Sequence, residues 1–278
     1  MNTINCKGTL IDLNRPKVMG ILNCTPDSFF DGGKYKDEKE IVTQVQKMLA
    51  EGATFIDIGA YSSRPGAIHI SEEEELQRLL PVVTLLTKEF PSIILSIDTF
   101  RSQVAKKAIA LGASMINDIS GGNADPNMFE TVVDLQVPYI AMHMQGTPQN
   151  MQTNPQYDNC TEEILKDFAT KAHQLKSKGL NDLIFDVGFG FGKTIAHNYE
   201  LLHNLDRFQQ LDCPILTGIS RKSMLYKPLE ISPDKALNAT TITNSIAINK
   251  GTQILRVHDV KEAMEVIKIH ELLSTHSA

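Results

Sequence analysis

Short apolar runs alternate with longer amphipathic segments along almost the whole chain. The runs are candidate strands, and there are eight: Lys17–Leu22, Thr54–Ile58, Ile93–Ile97, Ser114–Asn117, Val137–Met142, Asp182–Phe185, Pro214–Gly218 and Gln253–Val257. Between them, apolar residues recur with helical spacing, as at Ile41, Val45 and Met48. Strand–helix units repeated over about 250 residues are typical of a TIM barrel. The pattern therefore predicts an α/β protein with one (β/α)8 TIM-barrel domain over residues 1–278.

An open, doubly wound sheet is the alternative architecture. It usually carries a glycine fingerprint in its first strand–helix turn, and the spacing of Gly20 and the Gly32-Gly33 pair does not match it. Residues Thr3–Leu13 alternate about Gly8, which predicts a short hairpin. We expect this hairpin to cover the amino-terminal mouth of the barrel, where no chemistry takes place.

Polar or glycine-rich segments follow all eight candidate strands. They are Asn23-Cys24-Thr25, Asp57–Gly66, Asp98-Thr99, Asn117–Gly122, Met142–Thr147, Asp186–Thr194, Gly218–Ser223 and Arg256–Asp259. Any one of them could be a structural cap or turn. Because TIM barrels place their active sites at the carboxyl ends of the strands, we expect all eight to meet at one functional face.

Basic residues concentrate after the last two candidate strands, in Ser220–Ser223 and Arg256–His258. TIM barrels commonly bind phosphate at this position. Arg256 offers a planar fork of donors to phosphate oxygens, and His258, two residues on, shares its face of an extended chain. The structural alternatives are a salt bridge at the barrel rim for Arg256 and a hydrogen-bonded rim histidine for His258.

Three polar residues, Asp98, Asn117 and Asp186, lie at the ends of the third, fourth and sixth candidate strands. Pointing into its mouth, their carboxylate and amide groups could recognise a heterocycle that bears N–H donors. The alternative for the two aspartates is capping of the helices that follow. A di-metal hydrolase would need clustered histidines, and Asn23-Cys24-Thr25 supplies none.

The glycine-rich segment Gly188–Thr194 is not a P-loop, because the residue five before Gly192 is Val187 and not glycine. We expect its glycines to allow close backbone approach to a flat ligand, with Phe189 or Phe191 as a stacking surface. A flexible turn with core phenylalanines is the alternative.

Composition narrows the class of protein. A net charge of −6 gives no general attraction for nucleic acid. The four cysteines are far apart and lack metal-site spacing, which indicates reduced thiols in a cytoplasmic protein. The amino terminus has no apolar signal region, and no apolar run is long enough to span a membrane. We therefore expect small-molecule substrates.

Taken in order, the motifs from Asn23 to Asp259 resemble those of the dihydropteroate synthase family, the pterin-binding enzymes that sulfonamides inhibit. The resemblance implies a (β/α)8 barrel, a homodimer, Mg²⁺ and one transferase reaction of folate biosynthesis. In that reaction 4-aminobenzoate displaces pyrophosphate from 6-hydroxymethyl-7,8-dihydropterin diphosphate and gives 7,8-dihydropteroate. The chain departs from the usual family pattern at Tyr61, Ser63 and Val187, where an acid, a threonine and a proline are common.

The resemblance also implies roles for individual residues. The pterin-binding residues would be Asp98, Asn117, Met142, Asp186, Phe191, Gly218 and Lys222. The diphosphate would be bound by Asn23, Arg256 and His258, and the metal by Asn23 and Asp31. Two long loops would close over the aminobenzoate, whose ligands would be Phe29, Ser63, Arg64, Pro65, Lys222 and Ser223. The catalytic residues would be Asp98, Asp186 and Lys222.

We expect a dissociative displacement. Mg²⁺, Arg256 and His258 would neutralise the leaving pyrophosphate, and the negative Asp98 and Asp186 would stabilise the pterin cation. Two rival functions stay open. A pterin-binding methyltransferase domain of the corrinoid type would have no use for a diphosphate pocket. A catalytically dead pterin-binding barrel is the other, although Asn23, Lys222 and Arg256 are all present.

Overall fold

The computed structural model describes residues 3–24, 34–62 and 69–275, with the backbone alone for 34–37. A hairpin of β1 (Thr3–Cys6) and β2 (Thr9–Asp12) comes first. The barrel strands are β3 (Lys17–Asn23), β4 (Phe55–Gly59), β5 (Leu95–Asp98), β6 (Met115–Asp118), β7 (Tyr139–Met142), β8 (Leu183–Asp186), β9 (Ile215–Thr217) and β10 (Ile254–Val257). All eight are parallel, and they close into a barrel in the order β10-β3-β4-β5-β6-β7-β8-β9. The predicted TIM barrel is confirmed, and the open sheet is wrong.

Helices alternate with the barrel strands in the described ranges. They are α1 (Lys34–Ala50), α2 (Glu72–Glu89), α3 (Ser102–Ala110), α4 (Met128–Leu135), α5 (Cys160–Ser177), α6 (Ile195–His203), α7 (Ser223–Tyr226), α8 (Leu237–Asn249) and α9 (Val260–Thr275). Short 3-10 helices cover Leu205–Leu211 and Pro233–Lys235. The predicted apolar stripe of α1 is confirmed, since Ile41, Val45 and Met48 are buried in the core between barrel and helices.

Several strands extend one residue further than the apolar pattern predicts. They end at Asn23, Asp98, Asp118 and Asp186. The difference arises because backbone pairing does not depend on the polarity of the side chain, and the ladder continues onto each polar residue. These side chains therefore project from the ordered ends of strands, which position them more rigidly than loops do.

The amino-terminal hairpin closes the bottom of the barrel. Ile4, Cys6 and Leu13 are buried against interior residues of seven barrel strands: Met19, Phe55, Met115, Ile140, Ile184, Leu216 and Ile254. The backbone N–H of Asn5 donates to Oδ2 of Asp182 at 3.0 Å, just before β8 begins. The predicted position of the hairpin is confirmed, so the opposite, carboxyl end of the barrel is the one that remains open.

Candidate active site

Polar residues from neighbouring strands reach the same level at the carboxyl end of the barrel. The parallel register pairs Asn23 with Gly59, Gly59 with Asp98, and Asp98 with Asn117. The structure therefore brings three of the predicted site residues side by side, although they are far apart in the sequence.

Arg256 reaches across the barrel mouth to two aspartates. Its Nε donates to Oδ2 of Asp57 at 2.7 Å, and its Nη2 donates to Oδ2 of Asp98 at 2.9 Å. The Asp57 side chain has no exposed surface, whereas 20% of the Arg256 side chain is exposed. Arg256 thus forms the ion pair that the structural alternative expected, but it does so inside the mouth and joins β10 to β4 and β5.

Asp57 is a residue of this site that the sequence pattern did not single out. Its Oδ2 also accepts a hydrogen bond from Nδ2 of Asn117 at 3.0 Å. Its Oδ1 is buried and has no hydrogen-bond partner in the described part of the chain. A signal was available in the sequence, because an aspartate within an apolar strand is rarely buried unless it is paired. With the two-residue period of a strand, Asp57 faces the barrel interior as Phe55 does.

The two aspartates predicted to bind pterin both lie in an environment that disfavours their charge. Burial raises the pKa of Asp98, and Arg256 opposes that rise. Burial also raises the pKa of Asp186, and Lys222 opposes it. Oδ1 of Asp186 accepts a hydrogen bond from the N–H of Gly188 at 2.8 Å. Both carboxylates therefore depend on nearby positive charge, and a cation that develops in the mouth would be stabilised by them.

Lys222 projects into the same region from the loop after β9. Its Nζ donates to the backbone carbonyl of Phe189 and lies 4.4 Å from the centre of the Phe191 ring. Burial lowers the pKa of Lys222 to about 8, while Asp186 acts in the opposite direction. Phe191 is half-buried, so its ring remains a candidate stacking surface next to a cation.

The glycines after β8 let that loop pack against the loop after β7. A Cβ on Gly188 would lie 2.0 Å from the carbonyl oxygen of His143, and one on Gly192 would lie 2.4 Å from that of Gln145. These two glycines allow close approach to a neighbouring loop, and their approach to a flat ligand stays a prediction. The expectation that Phe189 could stack on a ligand is wrong, because it is fully buried in the core.

Lys193 is a second residue that the sequence reasoning missed. Its side chain is buried, and Nζ contacts the imidazole Nδ1 of His143 at 3.1 Å. It also donates to the carbonyls of His143 and Phe191, at 3.2 and 2.9 Å. Lys193 therefore ties the loop that carries Phe191 to the end of β7. The lysine was visible within the glycine-rich segment, but only the fold shows what it binds.

The basic residues that follow β9 and β10 have different roles in the structure. Nε and Nη2 of Arg221 donate to the two carboxylate oxygens of Asp259, each at 2.8 Å, which joins the two loops. His258 is exposed, and its Nδ1 lies 3.0 Å from Oγ of Ser220. His258 is thus the hydrogen-bonded rim histidine that the structural alternative predicted. The ion pair of Arg221 with Asp259 holds the two loops together.

Three further predicted residues lie around this mouth. Met142, buried at the end of β7, is in register with Asp186. A Cβ on Gly218 would lie 3.8 Å from Oδ2 of Asp186 and 3.9 Å from Cβ of Arg256, so the glycine keeps this space open. Ser223 is half-buried and begins α7.

The remaining predicted positions lie outside the described residues. They are Phe29, Asp31, Ser63, Arg64 and Pro65. Within the described ranges, no group of three or more His, Cys, Asp or Glu residues could hold a metal ion. Of the two predicted metal ligands, Asn23 lies within the described residues. It is half-buried at the end of β3.

Two of the sequence departures are visible. Tyr61 is buried, its hydroxyl lies 3.1 Å from Nδ1 of His69, and it accepts a hydrogen bond from Nε2 of Gln149 at 2.8 Å. Val187 is fully buried in the core. Both residues therefore fill buried positions.

Among the helices of the described ranges, none combines the length and apolar character of a membrane span.

A family model described as pterin binding enzyme matches residues 19–258. A dihydropteroate synthase of Haemophilus influenzae is 44% identical, with 93% of this chain and 94% of the relative covered. The solved dihydropteroate synthase of Yersinia pestis with a sulfonamide drug has a TM-score of 0.91 and 42% identity, covering 98% of this chain and 99% of that one. The Xanthomonas albilineans dihydropteroate synthase in complex with 7,8-dihydropteroate has a TM-score of 0.87 and 33% identity, covering 98% of each chain. The chain therefore belongs to the dihydropteroate synthase family of pterin-binding enzymes.

Proposed function

We infer that this chain is a transferase of folate biosynthesis that condenses 6-hydroxymethyl-7,8-dihydropterin diphosphate with 4-aminobenzoate. The products are 7,8-dihydropteroate and pyrophosphate. The observation that carries this function is the meeting of Asp98, Asn117, Asp186, Lys222 and Arg256 at the carboxyl end of one barrel. A relative that is 44% identical over 93% of this chain is named dihydropteroate synthase.

We propose that the pterin ring lies over the acids and the amide at this mouth. Asp98 and Asp186 accept hydrogen bonds from ring N–H groups, and Asn117 supplies an amide to the same edge. Phe191 offers a ring face, and Met142 and Gly218 shape the wall. Support comes from the positions of these side chains on adjacent strand ends and from the dihydropteroate complex of a relative.

Arg256, His258 and Asn23 are proposed to hold the diphosphate. Nη1 of Arg256 takes part in none of its ion pairs with the described residues, so this end of the guanidinium is available to an anion. The exposed His258 lies two residues further along at the rim. A charge-assisted contact from each group would stabilise the departing pyrophosphate.

Mg²⁺ is proposed as the metal of the reaction. The side-chain oxygen of Asn23 is the hard donor that this ion prefers, and Mg²⁺ commonly takes only one or two protein ligands together with substrate phosphates and water. Because the described residues offer no group of three or more His, Cys, Asp or Glu ligands, the proposed site has few protein ligands. When bound, the ion would neutralise charge on the diphosphate. Asp31 remains a proposed second ligand.

The bond-breaking step is proposed to be dissociative. As the diphosphate leaves, positive charge develops on the exocyclic carbon of the pterin, and the carboxylates of Asp98 and Asp186 lie close enough to the mouth to stabilise it. Lys222 orients the ring. The amine of aminobenzoate then attacks the cationic carbon, forms the C–N bond and loses one proton to water or pyrophosphate, with its carboxylate bound near Lys222 and Ser223. Phe29, Ser63, Arg64 and Pro65 are proposed to complete this second pocket, which is also where a sulfonamide would compete.

We further propose that the protein is a cytoplasmic homodimer. Its four cysteines are free thiols. Exposed apolar side chains lie on two neighbouring helices, α8 and α9, and they are Ile242, Ile246, Ile269, Leu272 and Leu273. Such a patch is typical of a surface that a second copy covers.

One assay tests the function directly. Purified protein is given both substrates with Mg²⁺, and the release of pyrophosphate and the formation of dihydropteroate are measured together. Omission of aminobenzoate is the control. A methyltransferase domain or an inactive barrel would bind the dihydropterin but release no pyrophosphate, and that result would contradict the proposal.

A further inference from the structure

Asp57 contacts two proposed substrate-binding residues without reaching the surface of the pocket. The register pairs Asp57 with Ser96, and Asp98 with Gly59, so Asp57 lies one pleat below Asp98. Its side chain has no exposed surface. A residue in this position acts on a ligand through the side chains above it, which here are Asn117 and Arg256.

The bond to Asn117 determines how its amide is oriented. Oδ2 of Asp57 already accepts a hydrogen bond from the Arg256 guanidinium, so it acts as an acceptor and selects the amide nitrogen and not the oxygen. Nδ2 of Asn117 accordingly faces Oδ2 of Asp57 at 3.0 Å. The amide oxygen is then directed away from Asp57. Without such a partner, an asparagine can present either its donor or its acceptor to a ligand.

The same carboxylate oxygen also fixes Arg256. It accepts a hydrogen bond from Nε at 2.7 Å, while Nη2 of the same guanidinium contacts Asp98 at 2.9 Å. An arginine side chain has many rotamers in water, and two charged contacts restrict it to one. The guanidinium is therefore held in place before any ligand binds.

We propose that Asp57 is a positioning residue that sets the donor and acceptor pattern of the pterin pocket. It does so by orienting the amide of Asn117 and by holding the guanidinium of Arg256 against Asp98. The inference rests on the proposed pterin site and goes beyond it, because it makes ring specificity a property of a residue that the ring does not touch. A heterocycle that presents an acceptor to the Asn117 oxygen leaves buried polar groups unpaired, and a site of this kind rejects it.

The first test compares two buried aspartates. Asp57→Asn keeps the volume but lets the amide of Asn117 rotate and removes a charged partner of Arg256. Asp118→Asn is the matched control, since Asp118 is also buried but bonds to Tyr139 and Ser120. The probe is 6-hydroxymethyl-7,8-dihydropterin without diphosphate, measured by calorimetry.

We expect Asp57→Asn to weaken dihydropterin binding by about 10-fold or more, the size expected when a charge-assisted contact is lost. Asp118→Asn should change it by less than about threefold, although both variants lower the melting temperature. Equal losses in the two variants, or full affinity in Asp57→Asn, would overturn the inference.

A second measurement needs no ligand. In the NMR spectrum, the Nε–H signal of Arg256 should exchange slowly with solvent, and Asp57→Asn should accelerate this exchange and shift the amide signals of Asn117. The Arg256 and Asn117 signals are identified by their loss in Arg256→Lys and Asn117→Asp. Unchanged signals would overturn the inference whatever the enzyme does. Failure of the unaltered protein to release pyrophosphate would count against the proposed function alone.

Discussion

Nζ of Lys193 lies 3.1 Å from Nδ1 of His143, a contact between a buried amine and an imidazole ring. Burial lowers the pKa of Lys193 to about 7. Burial, with Lys193 adding to it, lowers the pKa of His143 to about 2. The imidazole is therefore neutral at neutral pH, and the two nitrogens share one hydrogen bond. This pair joins the loops after β7 and β8.

The Lys193 contact predicts how stability depends on pH. The unfolded chain keeps a proton on Lys193 up to a pKa of 10.5, whereas the folded chain releases it at about 7. Between these values the unfolded state binds more protons, so this residue makes the free energy of unfolding rise with pH. The slope is at most about 1.4 kcal/mol per pH unit. We expect Lys193→Met to remove this contribution.

The measurement is urea unfolding of the two proteins between about pH 7 and pH 9. The exposed Lys227→Met serves as the control and should keep the pH slope of the unaltered protein. If Lys193→Met keeps that slope as well, Lys193 is charged in the folded protein and the prediction is wrong.

The pairing of Arg256 with Asp57 predicts a large effect on stability. Arg256→Met leaves the fully buried carboxylate of Asp57 without its cation. Breaking one side of a buried ion pair typically costs about 3–5 kcal/mol. Because 20% of the Arg256 side chain is exposed, we expect the lower end of that range. Adding Asp57→Asn should recover part of the loss in urea unfolding, and a double variant no more stable than Arg256→Met would show that the Asp57 charge is not the cause.

The sequence predicted the barrel because two signals agreed along the chain. The apolar runs marked all eight strands, and helical spacing marked the segments between them. The same alternation placed Asp98, Asn117 and Asp186 at strand ends; in the structure Asp98 and Asp186 end their strands and Asn117 is one residue before the end of its strand. These features are local, and they follow from burial of one side of each element.

Contacts between distant loops and strands could not be predicted in this way. Asp57 and Arg256 are 199 positions apart, and only closure of the barrel brings them together. The loop after β8 shows the second difficulty. Phe189 and Phe191 are two residues apart in a segment without regular periodicity, so no pattern could tell that Phe189 enters the core while Phe191 stays at the mouth.

Lys222 predicts a loss of activity at alkaline pH. Burial lowers its pKa to about 8, and the proposed role requires its positive charge beside the pterin. We expect kcat/KM to fall as the pH rises through about 8, because the free enzyme loses this proton. Lys222→Arg stays charged over this range, so its lower activity should not fall in the same way. Initial rates of pyrophosphate release measure both profiles, and a parallel fall in the two proteins would point to another group.

The proposed metal site predicts that activity is lost in excess chelator and returns when Mg²⁺ is added. Asn23→Ala removes a proposed oxygen ligand, and we expect it to raise the Mg²⁺ concentration for half-maximal rate by about 10-fold, as one lost contact to an ion implies. The control is Asn14→Ala, an exposed asparagine in the segment after the hairpin. Full turnover in chelator would contradict the metal requirement. An unchanged Mg²⁺ dependence in Asn23→Ala would remove Asn23 from the site.

The apolar patch on α8 and α9 predicts a dimer that one charge can disrupt. Ile246 and Leu272 have exposed fractions of 39% and 49%, so neither is needed for the barrel core. If a second copy covers them, a buried and unpaired carboxylate at either position is costly. We expect Ile246→Glu and Leu272→Glu to sediment as monomers and to keep the melting behaviour of an intact barrel. Leu10→Glu is the control, because Leu10 is 71% exposed on the hairpin and not on α8 or α9, and this variant should sediment like the unaltered protein. A monomeric unaltered protein at micromolar concentration, or dimers that persist in both glutamate variants, would show that the patch is not the subunit contact.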